Sequence, residues 1–385
     1  MEGPRAITVD ELPLIEELVN DVFRAPEGLP PILFSLFPRL FHESNIEHIR
    51  AVFVDRRPVA VVNYLLDRIV IGGCPILAAS ISTVATRVDY RNQGLSSLLL
   101  DDTFGLMRRE KVRLVFVSGS RGLYRRMGCH PAGMVWVGRV RRHELPPAGQ
   151  TALRLAGGME AIPALHRLHA GEDPRFLRDE SQFGLIHQAE PFARAFGYQS
   201  HTWLIVRGGE PVAYAIVAVP AADRTEGRVL EYAGDRKALA GALLPIGARL
   251  GLETMEIAVP YGEGDRQFLE HLRLAGGNWQ AQTMPGTINL LDPAGLWSDL
   301  MPRFLRLMGE TTAHRFALTL GEGETVNLHL GQEAVVIPDR ERLVRLFFGA
   351  GGEKWPDRPL PAGLQRALSS CFPLPLPWLL GLNYL

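Results

Sequence analysis

The stretch that decides the fold is "VDYRNQGLSSLLLDD", Val88 to Asp102. Residues before Gly94 belong to a strand-like run, and the period changes at the glycine. Leu95, Leu98, Leu99, Phe104, Leu106 and Met107 then recur near helical spacing. A helix N-terminus presents unpaired N–H groups and partial positive charge, which suits a phosphate or pyrophosphate. Gly94 lets a ligand approach the backbone, Ser96 is small, and Arg91 adds a guanidinium that can fork onto phosphate oxygens. Arg-x-x-Gly-x-Ser by itself is a weak signal, compatible with a plain strand-to-helix turn. GxxxxGK[ST] is absent, because the basic residue precedes the glycine. GxGxxG is absent too, and the strands before the loop form a meander instead of a βαβ unit.

Working outward, "RAVFVD" (50–55) turns into "PVAVVNYLLDRIVI", and Gly72-Gly73 turns that into "CPILAASISTVAT", a hairpin signal. After the helix, "VRLVFVS" (112–118) reads as a buried strand. A short helix around "RGLYRRMG" follows, then strand-like "GMVWVGRVRR". "HELPPAGQ" (143–150) has linker composition. Beyond it, "LIVRGGEPVAYAIVA" (204–218) repeats the pattern of "VFVDRRPVAVVNYLL" (52–66), and "LETMEIAVP" that of "VRLVFVSGS". In this second copy the glycine turn is replaced by "LEYAGDRKALAGALL", which keeps the helix without the Arg-x-x-Gly-x-small spacing. From about residue 292 the pattern changes again to a helix, a strand meander and a helix. The apolar, proline-punctuated end "CFPLPLPWLLGLNYL" is expected to be buried, because in water it would expose Trp378, Leu379, Leu380, Tyr384 and Leu385.

Bulk properties narrow the class. A chain of 385 residues holds two or three domains, and 46% hydrophobic with 22% charged residues marks a folded, soluble protein. The net charge of −1 gives no reason to expect nucleic acid or an anionic membrane as partner. Cys74, Cys129 and Cys371 are few, odd in number and far apart, so neither a disulfide framework nor a zinc site is expected; this fits the cytoplasm. No apolar run is long enough to span a membrane, and the first residues do not read as a signal peptide. His166 and His169 share a helical face but lack a third metal ligand, so a surface pair is the expectation.

The order of strand, glycine loop, helix, buried strand and Tyr124-x-x-x-Gly128 helix resembles the acetyl-CoA-binding core of the GNAT superfamily of N-acyltransferases. Arg91, Gly94 and Ser96 match its Arg/Gln-x-x-Gly-x-Gly/Ala motif, with serine a mild departure. The wider arrangement is similar to the enhanced-intracellular-survival (Eis-like) branch. The resemblance implies an α/β (α+β) fold: tandem GNAT-type mixed sheets flanked by helices, plus a C-terminal sterol-carrier-like α+β domain. The expected domains are a catalytic 1–145, a degenerate second copy 150–290 and the sterol-carrier-like 291–385. It implies acetyl-CoA as cosubstrate, no metal, an amine-bearing small molecule or peptide as acceptor, and a homo-oligomer, hexamers being common among look-alikes.

Under that resemblance Val84, Ala85 and Thr86 pair with pantetheine, and Arg91, Asn92, Gln93, Gly94, Leu95, Ser96 and Ser97 hold the pyrophosphate. Tyr124 protonates the leaving thiolate; its reference pKa of about 10 lies close to that of an alkyl thiol. The base is the terminal carboxylate of Leu385, with Glu43 and His48 as alternatives. Cys129 reads as a small buried residue. The rival reading is a non-catalytic CoA- or lipid-binding protein.

Overall fold

The architecture is that of a computed structural model, which describes residues 1–222, 225–349 and 359–385. In chain order the first part runs β1 (Glu2–Ala6), α1 (Leu12–Phe23), α2 (Leu33–Leu36), β2 (Ile49–Val54), β3 (Arg57–Ile71), β4 (Cys74–Thr86), α3 (Leu95–Arg109), β5 (Leu114–Val117), α4 (Gly122–Arg126) and β6 (Met134–Arg141). Next come β7 (Ala152–Leu155), α5 (Ile162–Ala170), β8 (Arg175–Phe176), α6 (Glu180–Ala189), α7 (Pro191–Ala195), β9 (Tyr198–Arg207), β10 (Glu210–Pro220), β11 (Glu226–Gly234), α8 (Arg236–Leu250), β12 (Thr254–Pro260), α9 (Glu263–Ala275), β13 (Asn278–Thr283) and β14 (Thr287–Leu290). The last part contains α10 (Pro293–Asp299), α11 (Met301–Met308), α12 (Glu310–Arg315), the meander β15 (Phe316–Leu320), β16 (Val326–Leu330) and β17 (Glu333–Ile337), then α13 (Arg340–Phe348) and α14 (Ala362–Cys371). The fold is mixed α/β, as the resemblance implies.

Two large sheets share one strand order. The first runs β1-β2-β3-β4-β5-β14, with β8 added beside β3; the second runs β7-β9-β10-β11-β12-β6-β13. In each, a single parallel pair stands among antiparallel ones, β4 with β5 and β11 with β12. The two similar sequence stretches fall on β2–β3 and on β9–β10, at equivalent places.

The sheets also trade their closing strands. The stretch "GMVWVGRVRR", expected within the first unit, forms β6 and pairs with β12 and β13 of the second sheet. In return β14, at the far end of the second unit, pairs antiparallel with β5. A cut near residue 145 therefore separates neither sheet cleanly.

The third, three-stranded sheet shares a core with the first. Ile69, Ile76 and Phe116 pack in one apolar cluster with Trp297, Phe304, Phe316, Phe347 and Phe372. Residues 371–385 are all buried or half-buried, as their composition requires. Two further clusters sandwich the first sheet. One joins Leu99, Phe104 and Met107 of α3 to Val62 and Tyr64. The other joins Ile15 and Leu18 of α1 to Val61, Leu65 and Ala85 on the opposite face.

Candidate active site

The central feature is an opening beside β4. Pairing with β5 covers only Ala78–Ile81 against Leu114–Val117. Beyond that point β4 continues against β3 alone, with Val84, Ala85 and Thr86 opposite Val62, Val61 and Ala60. The other backbone edge of these residues has no strand pairing among the described residues, so its polar groups remain available to an extended ligand.

A bulge starts the divergence. Ser82 and Thr83 together oppose Asn63, and a bulge of this kind bends and twists its strand. Fully buried Asn63 stabilises it. Its Oδ1 accepts hydrogen bonds from the Thr83 backbone N–H at 2.9 Å and the Thr83 hydroxyl at 2.7 Å. A single Asn in a strand gave no hint of this role in the sequence.

β4 leads into the glycine loop. Gly94 (φ 78°) and Asn92 (φ 61°) are both left-handed, a conformation glycine adopts without a Cβ clash. Gly94 is the N-cap of α3, and no side chain caps the helix. Space for a Cβ at Gly94 is open, with nothing within 4 Å. The first N–H groups of α3 therefore face an unfilled surface. Arg91, Asn92 and Gln93 are exposed around it, and Ser96 and Ser97 are half-buried. Arg91 Nε lies 3.4 Å from the Thr86 carbonyl, and Ser96 Oγ lies 3.0 Å from Thr86 Oγ1, so loop and strand end are tied together. Leu95 differs from its neighbours: its side chain is buried in the core, leaving only its backbone to meet a ligand.

Tyr124 sits on α4, just past the end of β5, and is buried in the cluster that includes Val84, Val117 and Cys129. Burial pushes its phenol above the ordinary tyrosine range, and the charge of Arg121 partly opposes this. A Cβ at Gly119 would come within 2.9 Å of the Tyr124 ring, so glycine is what lets the turn lie on that ring. Two residues of β14 hold this region. Asn289 Nδ2 donates to the Met127 carbonyl at 2.6 Å, and the Thr287 hydroxyl donates to the Gly119 carbonyl at 3.1 Å. Both were missed in the sequence, because they lie some 160 residues away with no local signal.

Leu385 lies on the opposite face of the first sheet. Together with Tyr384 it packs against the α1-side cluster containing Phe37, Leu65 and Ala85. It borders a small pocket with Leu36, Phe37, Arg39 and Leu65. The phenol and the chain terminus thus stand on the two faces of the sheet that carries the open edge.

The alternative bases fare differently. Glu43 is exposed on the surface. His48 is held between Asn45 Oδ1 and Glu110 Oε1, each at 2.9 Å. Glu110 follows the C-terminal end of α3, about 24 Å from Gly94 at 1.5 Å per helical residue. His48 is therefore remote from the loop. His166 and His169 direct Nε2 at the backbone carbonyls of Arg178 and Phe176, and His169 is buried instead of at the surface. Among the described residues no group of three or more His, Cys, Asp or Glu side chains could hold a metal.

The family model described as "Acetyltransferase (GNAT) domain" matches residues 4–132. Residues 4–132 form an acetyltransferase (GNAT) domain. This is an enzyme domain, and its family works with acyl-CoA. Solved structures that resemble nearly the whole chain include the following three. A GCN5-related N-acetyltransferase from Kribbella flavida is 16% identical with a TM-score of 0.63, covering 99% of this chain and 97% of that one. Eis1 from Mycobacterium abscessus is 14% identical with a TM-score of 0.60, covering 96% of each chain. A GCN5-related N-acetyltransferase from Anabaena variabilis is 12% identical with a TM-score of 0.61, covering 89% of each. At these identities the likeness is one of fold. No curated protein matches the sequence. No helix among the described residues is long and apolar enough to cross a membrane.

Proposed function

We propose that the chain is a cytoplasmic, acetyl-CoA-dependent N-acetyltransferase of the Eis-like kind, acting on a primary amine of a small molecule or peptide. The observation that carries this is the open edge of β4 running into the uncapped N-terminus of α3, within a domain that the acetyltransferase model matches. The shared strand order of the two large sheets supports a diverged second copy over 150–290, behind a catalytic 1–145. The helices around the three-stranded meander support a sterol-carrier-like 291–385.

In this reading the backbone of Val84, Ala85 and Thr86 hydrogen-bonds the pantetheine arm. The N–H groups at the start of α3, with Arg91, Asn92, Gln93, Ser96 and Ser97, bind the pyrophosphate. A β4 N–H polarises the thioester carbonyl. The Leu385 carboxylate takes a proton from the acceptor amine, whose lone pair forms the new C–N bond. The C–S bond breaks, and Tyr124 gives its proton to the departing thiolate. Burial keeps the phenol protonated at neutral pH, so the proton is there to give.

The test is a thiol-release assay with acetyl-CoA against polyamine, aminoglycoside and peptide amines. Turnover on at least one is expected. Tight acetyl-CoA binding with no turnover on any would favour a non-catalytic CoA-binding protein. The identity of the base has its own test. One glycine added after Leu385 moves the carboxylate and is expected to cut turnover sharply at unchanged acetyl-CoA affinity.

A further inference from the structure

The second sheet has the same kind of opening as the first, and the chain's own tail runs alongside it. Pairing of β11 with β12 stops at Val229 opposite Ile257. A bulge at Leu230 follows, where β11 slips against β10. Beyond it, Leu230 and Glu231 of β11 and Ala258 and Pro260 of β12 line a small cavity together with Leu376, Pro377 and Trp378. Further along, the tail runs so close to the bulge that a Cβ at Gly381 would lie 3.1 Å from the Leu230 carbonyl oxygen and 3.2 Å from Glu231 Oε2.

At this point the tail is gripped by a buried ion pair. Arg178, its side chain only 2% exposed, donates from both terminal nitrogens to the two oxygens of Glu231, each at 2.8 Å. Its remaining Nε donates to Asn383 Oδ1 at 2.7 Å. Glu231 is fixed in turn by the Tyr214 hydroxyl at 2.7 Å. Burial alone would raise Glu231, but Arg178 outweighs it and holds the carboxylate at about 2, so the pair stays ionised. A buried charge pair is weak evidence of stability, because desolvation offsets its attraction, but it gives a fixed geometry. Asn383 lies two residues before the terminus, so the grip limits where the last carboxylate can reach, by about 7 Å of extended chain.

We propose that Arg178, Glu231 and Asn383 are positioning residues: the opening of the second sheet is a clamp that sets the register of the tail and so places the terminal carboxylate against the first sheet. This rests on reading the Leu385 carboxylate as the base. The second unit then takes part in catalysis by holding a catalytic group in place of a cofactor.

Removing Arg178 or Glu231 would leave a buried charge without its partner and destabilise the fold, so the test uses Asn383. Asn383→Leu keeps the branched shape and loses the acceptor. It is expected to raise backbone hydrogen exchange over residues 379–385 and to lower kcat about tenfold or more, at unchanged acetyl-CoA affinity. Asn383→Asp restores an accepting oxygen and is expected to recover turnover to within about threefold of wild type. Unchanged exchange in Asn383→Leu would overturn the clamp. Raised exchange with wild-type kcat would overturn its positioning role. The glycine-extended chain separates the two claims: wild-type turnover there removes the base, and the positioning role with it. Loss of turnover there while Asn383→Leu stays fully active removes the positioning role alone.

Discussion

Tyr124 and Cys129 lie five residues apart in one buried cluster, and burial acts on both in the same direction. For Tyr124 a raised pKa extends the pH range in which the phenol keeps its proton. A general acid is lost only as pH rises through its folded pKa, so kcat is expected to show no fall on the alkaline side below about pH 10, the reference value. A pH–rate profile under saturating acetyl-CoA checks this, and an alkaline limb near neutrality would assign the acid elsewhere. Tyr124→Phe keeps the ring that Gly119 packs on and removes the proton. Its kcat is expected to drop by about 10²–10⁴ with acetyl-CoA affinity preserved, read by thiol release and calorimetry. Cys129 is pushed up to about 12 and is fully buried, so almost none of it is thiolate at neutral pH. Native protein treated with iodoacetamide at pH 8 is expected to leave Cys129 unmodified by peptide mass analysis. Rapid labelling there would mean that the helix carrying Tyr124 opens readily.

The two equivalent helices α3 and α8 differ at their N-termini, and under the proposed function that difference sets the number of cofactor sites. α3 starts at Gly94 with no cap. α8 starts at Asp235, whose carboxylate already accepts from the Ala238 N–H at 2.8 Å and pairs with Arg207 at 2.9 Å. A carboxylate in that place satisfies the free N–H groups and repels a second anion. Titration is therefore expected to give one acetyl-CoA per chain, and Gly94→Val, a β-branched residue forced into a left-handed turn, is expected to weaken it at least about tenfold. Two equivalents bound would refute the argument about Asp235. Sequence reading reached α3, β4 and the repeated hairpin because their signals are local: a period, a glycine pair and a turn. It did not reach the β4 bulge, because the hydrogen bonds of Asn63 to Thr83 depend on a register set by the whole hairpin. Nor did it reach Arg178, whose partners Glu231 and Asn383 lie 53 and 205 residues away.

At the scale of the molecule, the exchange of β6 and β14 makes the two large sheets mutually dependent. Residues 1–145 contain β6 without its partners β12 and β13, and β5 without β14. Such a fragment exposes the unpaired edge of β5 and an orphaned apolar strand, a combination that favours aggregation. It also lacks Asn289 and Thr287, which hold the segments on either side of Tyr124, and the third-sheet residues that cover Ile69, Ile76 and Phe116. The spacing of the linker at 143–150 invites that cut, because a composition shift marks a loop but carries no record of which sheet the next strand joins. Expressed alone, residues 1–145 are expected to be insoluble, or to show no cooperative thermal transition and no acetyl-CoA binding. A chain nicked in the same linker after folding retains all of these pairings, since the severed strands stay hydrogen-bonded in place. It is expected to keep its size on gel filtration and its affinity for acetyl-CoA. A soluble, cooperatively melting 1–145 fragment that binds acetyl-CoA like the full chain would show that the exchanged strands are an embellishment. Failure of the fragment with survival of the nicked chain would show that the first site is built by both halves.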